Sequence, residues 1–534
     1  MEYLESQNLV GRIWERDHTV WKSNPTEITN RLGWLNVTDY ISRQIPSLQA
    51  FTQEIREDGF RHVVLIGMGG SSLGPDVISQ TFGNALGFPD LLVLDSTVPK
   101  TILAATEKID LINTLFLVSS KSGTTTESLV LYRHFRELLE NTIGKENAGG
   151  HFVSITDPGT YLESLAYKDG FRRIFQNPAD IGGRYSVLSY FGIVPAALIG
   201  IDIPKLLCRA DLMRNQCASL AIDQNNPGAW LGAFVGTMAL LGRNKLTLVT
   251  SPSIASFGLW AEQLIAESTG KEGKGIIPVV KEPMVDPASY SNDRMFVYMR
   301  LDDDNNTNID ASIANIEASG QPVLHLRLRD LYDLGAEFFR WEFATAIAAA
   351  ILGVHPFNQP NIQQTKNHGL DSLEKHQSSG QCQHSDSISS ITDLLSEANT
   401  GDYLAIMAYI HQTPETDKAL SALRRSITEN HYIPTTLGYG PRFLHSTGQI
   451  HKSGPNNGLF FQITTKHDVD IPIPSKPYTF GILTDAQSVN DLKVFQSLER
   501  RIAMVRLPPD IDSAIEQLVN DVTASPSNIT KGKP

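Results

Sequence analysis

The sequence predicts an α/β protein built on parallel sheets, and three observations carry that expectation. From His62 onward, short apolar runs alternate with amphipathic helical segments. Two of those runs end in glycine- or hydroxyl-rich loops that open the next helix. After a long helical stretch the alternation starts again, so two lobes of similar plan are expected.

The elements follow in order. Residues 1–59 read as a helical leader: Pro25-Thr26-Glu27 opens a helix in which Ile28, Leu32 and Leu35 recur at helical spacing. Ile41, Ile45 and Leu48 repeat the spacing, and Pro46 marks a break between two helices. A first lobe, 60–200, has strands at Val63–Ile66, Leu91–Leu94, Leu115–Val118 and Phe152–Ile155. A helical stretch from Tyr185 to Gly242 leads into a second lobe, 201–376. Its strands are Leu246–Val249, Ile276–Val280, Met295–Met299 and Val323–Leu326, and it closes on a helix from Ala336 to Gly353. The Ser/Gln/His-rich segment 377–392 reads as a linker. A smaller α/β domain, 393–524, has strands at Tyr403–Ile410, Gly458–Thr464, Phe480–Leu483 and Ile502–Val505. Helices at Thr416–Asn430 and Ala486–Glu499 separate them, and the tail from Ser525 is expected to fray.

Composition narrows the function. A chain of 534 residues exceeds one ordinary core. A formal charge of −13 argues against nucleic acid or an acidic membrane as partner, yet leaves room for a locally positive pocket. The three cysteines, Cys208, Cys217 and Cys382, are scattered and form no CxxC pair or zinc-like cluster. The first residues lack the basic flank and apolar core of a signal peptide, and the apolar stretch Gly228–Gly242 falls short of the ~18 residues of a membrane span. A reducing, cytoplasmic setting is expected.

Five stretches carry chemistry. Gly67-Met68-Gly69-Gly70-Ser71-Ser72-Leu73-Gly74-Pro75 follows a strand, and its glycines let backbone N–H groups crowd toward an anion at the next helix N-terminus. As a dinucleotide motif it has Ser72 where a third glycine belongs, although Asp95 stands where a ribose-binding acid would. Ser119-Ser120-Lys121-Ser122-Gly123-Thr124-Thr125-Thr126-Glu127 brings dense hydroxyls and one lysine to a positive helix end, which suits a phosphate monoester. Thr124 and Glu127 could alternatively form a capping box. Gly182-Gly183-Arg184 bends sharply and aims a permanent charge, either inward or onto a surface turn.

In Trp260-Ala261-Glu262-Gln263-Leu264-Ile265-Ala266-Glu267-Ser268-Thr269-Gly270-Lys271, Glu267 shares a face with Trp260 and Leu264. It lies in the last helical turn, where burial and the helix dipole raise a carboxyl pKa toward general-base range. Solvation, or pairing with Lys271, is the alternative. The fifth stretch, His355 to Lys366, is a proline-bracketed loop carrying Gln359, with no chemistry declared by its residues alone.

Together these segments resemble the glucose-6-phosphate isomerase family across Val63 to Lys366, in family order: GMGGSSLGP, SSKSGTTTES, IGGRYS, AESTGK and PFNQPNIQQTK. DHTVWKSNPTEITNRLGWL and GYGPRFLHSTGQIHKSGP resemble the isomerase half of bacterial transaldolase–isomerase fusions, although no transaldolase portion is present. The resemblance implies two doubly wound sugar-isomerase (SIS) lobes, a homodimer, a sugar-phosphate substrate, no cofactor and no metal, and a place in glycolysis and gluconeogenesis. It implies Glu267 as the base that moves a proton between C1 and C2, and Arg184 as the charge that stabilises the enediolate. Ser120, Lys121, Ser122 and Thr125 become the phosphate loop, Gly70 and Ser71 the glycine-rich contact, Gln359 a sugar contact and Lys366 the lysine near the ring oxygen.

Two departures stand out. The family's ring-opening histidine comes from a neighbouring subunit, and no histidine lies between Gly275 and Gln321 to match it. His325, His355, His445 and His451 are its possible substitutes. Asn358 and Gln363 stand where the family usually has acids. A dual phosphoglucose/phosphomannose isomerase, a non-catalytic SIS-type sensor and an NAD-dependent enzyme are the alternative readings.

Overall fold

The computed structural model describes residues 2–220, 225–360 and 388–529. Within them lie three parallel sheets. The first runs β2-β1-β3-β4-β5, from β1 (His62–Ile66), β2 (Asp90–Leu94), β3 (Thr114–Ser119), β4 (Phe152–Thr156) and β5 (Arg173–Gln176). The second runs β7-β6-β8-β9, from β6 (Lys245–Thr250), β7 (Ile277–Val280), β8 (Arg294–Leu301) and β9 (Val323–Leu328). The third runs β11-β10-β12-β13, from β10 (Tyr403–Tyr409), β11 (Thr435–Tyr439), β12 (Gly458–Thr465) and β13 (Arg501–Leu507). The α/β class read from the alternation is therefore present, as parallel sheets throughout.

Each sheet starts on an inner strand, steps to one edge, then reverses past its start. Such a reversal opens a crevice at the carboxyl ends of the two strands flanking it. In the first sheet those strands are β1 and β3, in register with Ile66 opposite Val118, so their following loops emerge side by side. These strands are apolar on both faces, and β3 is buried along its whole length, as a parallel strand covered by helices should be.

Between the first two sheets lies a helical layer. The expected stretch from Tyr185 resolves into helices Tyr190–Leu198, Ile203–Cys217 and Pro227–Leu240, packed with the long helix Asp333–Leu352. Helix Pro227–Leu240 presents Gly228, Gly232 and Gly236, four residues apart, to that long helix. A Cβ on Gly232 would stand 2.6 Å from the Ala344 carbonyl oxygen, so glycine sets the approach of the two backbones. No described helix is long and apolar enough to cross a membrane.

Several expectations need correction. Residues 25–31 form turns rather than a helix, because Glu27 takes φ +58, which a right-handed helix cannot accommodate. Ile28, Leu32 and Leu35 are nonetheless buried. The break near Pro46 is real, between helices Val37–Ser42 and Ile45–Glu57. Phe480–Leu483 is no strand; it is the first turn of helix Phe480–Ser497, whose N-cap Thr479 accepts from the Ile482 amide at 3.3 Å. A four-residue apolar run reads equally as strand or helix, and here the cap decides. The sequence pattern does not mark the edge strands β5 and β11, which are short and only partly covered.

Residues 377–387 of the expected linker lie outside the described residues. Its end is structured: Ile388 bridges Met504, and a capping box of Ser390 and Asp393 opens helix Ile391–Ser396. Residues 530–534 of the tail also lie outside, while Ser525 is held by His431 at 3.1 Å.

Replacing Gly232 with Leu should lower the urea midpoint, at a cost of about 1–3 kcal/mol, because the added side chain must force the two helices apart. An unchanged midpoint would show that this contact is not tight.

Candidate active site

The glycine-rich turn after β1 bends through Gly69 at φ +56 and forms a single 3-10 turn, Gly69–Ser71. Crowding explains the glycines. A Cβ on Gly70 would lie 2.0 Å from the Gly183 carbonyl oxygen, and one on Gly69 2.6 Å from the His445 carbonyl oxygen. The segments of Gly183 and His445 thus converge on this turn, and Ser71 is buried within it.

Beside it, the hydroxyl loop after β3 folds on itself. Ser120 Oγ lies 2.9 Å from Thr125 Oγ1 and accepts the Gly123 amide at 3.1 Å, while Ser122 Oγ accepts the Thr124 amide at 3.3 Å. The loop leads into helix Thr126–Ile143 through Thr125, whose side chain makes no capping bond. No Thr124–Glu127 capping box forms. Glu127 is instead buried and accepts from His445 Nε2 at 3.1 Å and Gln487 Nε2 at 2.7 Å. Lys121 turns aside to pair with Asp157 and donates to the Ala179 carbonyl at 3.2 Å.

Helix Phe257–Thr269 runs from β6 toward the same point, and its last turn delivers Glu267, only 2 % exposed. Glu267 Oε2 lies 3.2 Å from Arg184 Nε and accepts from Gln359 Nε2 at 3.1 Å and Gln263 Nε2 at 3.3 Å. Oε1 has no hydrogen-bond partner among the described residues. Burial raises the Glu267 pKa above the usual carboxylate value; Arg184, then Lys271 and His445, pull it the other way.

Arg184 is equally buried. Its Nη2 donates to the Phe357 and Asn358 carbonyls at 3.2 and 3.1 Å, and Nη1 has no partner among the described residues. One open carboxylate oxygen and one open guanidinium nitrogen therefore occur on the same ion pair. Lys271 does not bond Glu267; its ammonium donates to the His355 carbonyl, and burial holds its pKa well below the ordinary lysine value.

The four histidines separate clearly. His325 is exposed on β9 and paired with Glu317 at 2.7 Å. His451 is packed among Tyr403, Phe443, Phe460 and Phe495, and burial pushes its pKa down to about 3. His355 braces its own loop: Nδ1 accepts the Phe357 and Asn358 amides at 3.1 and 3.3 Å, and Nε2 donates to the Thr26 carbonyl at 3.0 Å. Only His445, on the 3-10 turn Arg442–His445 after β11, reaches the cleft. Besides pairing with Glu127, it offers its carbonyl oxygen to Gln263 Nε2 at 2.9 Å.

Sequence alone points to none of Arg442, Gln263 and Gln487, and to Glu127 only as a possible helix cap. Gln263, one helical turn before Glu267, could have been found by spacing, whereas the others act across hundreds of residues. Asp95 is not free for a ribose: Arg442 grips both its oxygens at 2.8 Å, and Ser72 Oγ donates to it at 3.2 Å. Lys366 lies outside the described residues.

The family model for phosphoglucose isomerase matches residues 37–276. A glucose-6-phosphate isomerase of Symbiobacterium thermophilum is 30% identical over 394 residues, spanning 62% of this chain and 85% of the relative. The chain belongs to the phosphoglucose isomerase family. A Staphylococcus saprophyticus glucose-6-phosphate isomerase is 29% identical over 381 residues, 63% of this chain and 85% of its own. Two solved structures share the fold. A hypothetical protein from Thermus thermophilus gives a TM-score of 0.59 at 23% identity, covering 69% of this chain and 94% of that one. A glucose-6-phosphate isomerase from Chlamydia trachomatis gives 0.55 at 19% identity, covering 69% and 78%.

Glu262 supplies a titration test of the electrostatics on the glutamate helix. It is buried, and desolvation pushes its pKa up to about 8 against the opposing pull of Arg424, Arg442 and Lys281. Between the ordinary carboxylate pKa and about 8, the folded chain holds one proton more than the unfolded chain, so stability falls as pH rises. Glu262→Gln removes this dependence. Its stability relative to wild type should grow from pH 5 to pH 8 by up to ~1.4 kcal/mol per pH unit, then level off. Parallel curves for the two proteins would refute the assignment.

Proposed function

We propose that this chain is a glucose-6-phosphate isomerase, interconverting glucose 6-phosphate and fructose 6-phosphate by proton transfer through an enediolate, without metal or cofactor. The observation that carries the reading is the buried Arg184–Glu267 pair beside a glycine-rich and a hydroxyl-rich loop. Among the described residues the polar contacts of the carboxylate all fall on Oε2, and Arg184 Nη1 has no partner. The activities named for its relatives support it further.

The parts have distinct tasks. The phosphate sits on the hydroxyls of Ser120, Ser122 and Thr125, at the positive end of helix Thr126–Ile143, with Lys121 at the rim. Gly70 and Ser71 bring the glycine turn against the sugar, and Gln359 contacts the substrate while holding Glu267. Glu267 Oε1 removes the C2 proton of the open-chain aldose and returns it to C1, while the proton on the C2 hydroxyl passes to the C1 oxygen. The negative charge that develops on the C1–C2 oxygens is met by Arg184 Nη1, a fixed donor in a dry site. A guanidinium here supplies the charge stabilisation that a Lewis acid would otherwise give, which supports turnover without a metal.

Ring opening needs one group to give a proton to the ring oxygen and another to take one from the C1 hydroxyl. We assign His445 to this step, held by Glu127, with Lys366 as its counterpart near the ring oxygen. The reading brings with it a cytoplasmic setting and a homodimer.

Glu267→Gln should lower fructose 6-phosphate turnover at least ~100-fold, as loss of a general base does, while wild-type turnover persists in chelator. Near-normal turnover by the variant, or loss of wild-type turnover in chelator, would reject these assignments. Mannose 6-phosphate in the same assay measures substrate breadth. His445→Asn should lose ~100-fold on the cyclic substrate yet stay within about threefold on an analogue that cannot cyclise. Equal losses on both would remove His445 from ring opening.

A further inference from the structure

The 3-10 turn Arg442–His445 comes from the third sheet, yet its contacts reach three parts of the cleft built by the other two. Arg442 Nε and Nη2 each lie 2.8 Å from an oxygen of Asp95, which is only 3 % exposed, at the carboxyl end of β2. Asp95 Oδ2 accepts from Ser72 Oγ at 3.2 Å, and the same hydroxyl lies 3.2 Å from the Gly69 carbonyl oxygen. Three residues on, the His445 side chain meets Glu127 on the hydroxyl-loop helix, and its carbonyl oxygen meets Gln263, which also holds Glu267.

We propose that Arg442 is a positioning residue: through Asp95 and Ser72 it fixes the glycine-rich turn against the substrate, making the C-terminal sheet a working part of the active site. The two-pronged contact is the kind of link that fixes orientation as well as distance, because a guanidinium fork matches a carboxylate in one plane. A turn with three glycines has little stiffness of its own, and Gly69 stands at positive φ. Its shape therefore depends on what holds it from outside, and on this side that is the Arg442–Asp95–Ser72 chain. The role of Arg442 rests on the isomerase reading only for its effect on turnover. Its hold on the turn is readable without substrate.

The test uses Arg442→Gln, Asp95→Asn, the double variant, and Arg442→Lys, which keeps the charge but loses the fork. Amide hydrogen exchange over residues 67–76 should speed by ~10-fold in each single variant, with the global unfolding midpoint read alongside. Fructose 6-phosphate KM should rise ~10-fold with kcat within about threefold, since the turn binds ground and transition states alike. The double variant should be no worse than the poorer single, because both substitutions cut one chain of contacts. Arg442→Lys should fall between wild type and Arg442→Gln, and it keeps the test open should Gln prevent folding.

Unchanged exchange in the turn, additive losses in the double variant, or an unchanged KM in an active enzyme would each overturn the proposal. A purely structural role would lower the unfolding midpoint and the active fraction without moving KM, and counts against it too. A wild-type protein with no isomerase turnover would sink the functional reading instead, and the exchange data would then decide the role of Arg442 alone.

Discussion

The fold is arranged around one buried ion pair. Arg184 and Glu267 lie 3.2 Å apart and are each 2 % exposed, so both charges have left water. Such a pair is costly to bury, and removing one partner of a buried pair typically costs about 3–5 kcal/mol because the other charge is left uncompensated. Here the compensation is uneven. Glu267 Oε2 takes all three polar contacts, and Arg184 Nη2 takes two carbonyls of the 357–358 loop. Among the described residues the remaining carboxylate oxygen accepts no hydrogen bond and Arg184 Nη1 donates none, and the proposed chemistry uses those two atoms.

Holding that pair requires segments far apart in the chain, and the three sheets supply them by the same device. Each sheet reverses its strand order beside its first strand, so each offers a carboxyl-end crevice. The first contributes the glycine-rich and hydroxyl-rich loops from adjacent strands β1 and β3. The second contributes the glutamate helix, which leaves β6. The third contributes the Arg442–His445 turn after β11. Glycines mark where these pieces touch: Gly70 against Gly183, Gly69 against His445, and Gly270 against Ile450, whose Cβ would be 2.4 Å from any added side chain.

What was legible in the sequence follows from this construction. Strand–loop–helix units are local, so β1, β3 and their loops could be read from residues in a row. The helical turn of Glu267 left its role open between a base and a solvated or Lys271-paired carboxylate, and only the family resemblance singled it out. The third sheet's part in the site was not readable, since Glu127 and His445 meet across 318 residues with no shared pattern. His445 and His451 looked alike as loop histidines six residues apart. The structure separates them because one faces Glu127 and the other an aromatic core. Glu127 misled for a related reason: a glutamate in the first turn of a helix matches a cap by spacing alone, and only tertiary contact shows that the side chain points away.

That choice at position 127 has an electrostatic logic. The N-terminus of helix Thr126–Ile143 favours negative charge, and under the proposed function two anions would compete for it: a phosphate in the hydroxyl loop and the Glu127 carboxylate. Left at the loop mouth, the carboxylate would repel the phosphate across a short distance in a poorly screened site. His445 and Gln487 instead draw it toward the third sheet, where it accepts two hydrogen bonds and is buried. The first of those bonds also fixes the imidazole. On that reading one helix end serves two anions on opposite sides, and the sheet that takes up Glu127 is also the one that brings His445 beside it.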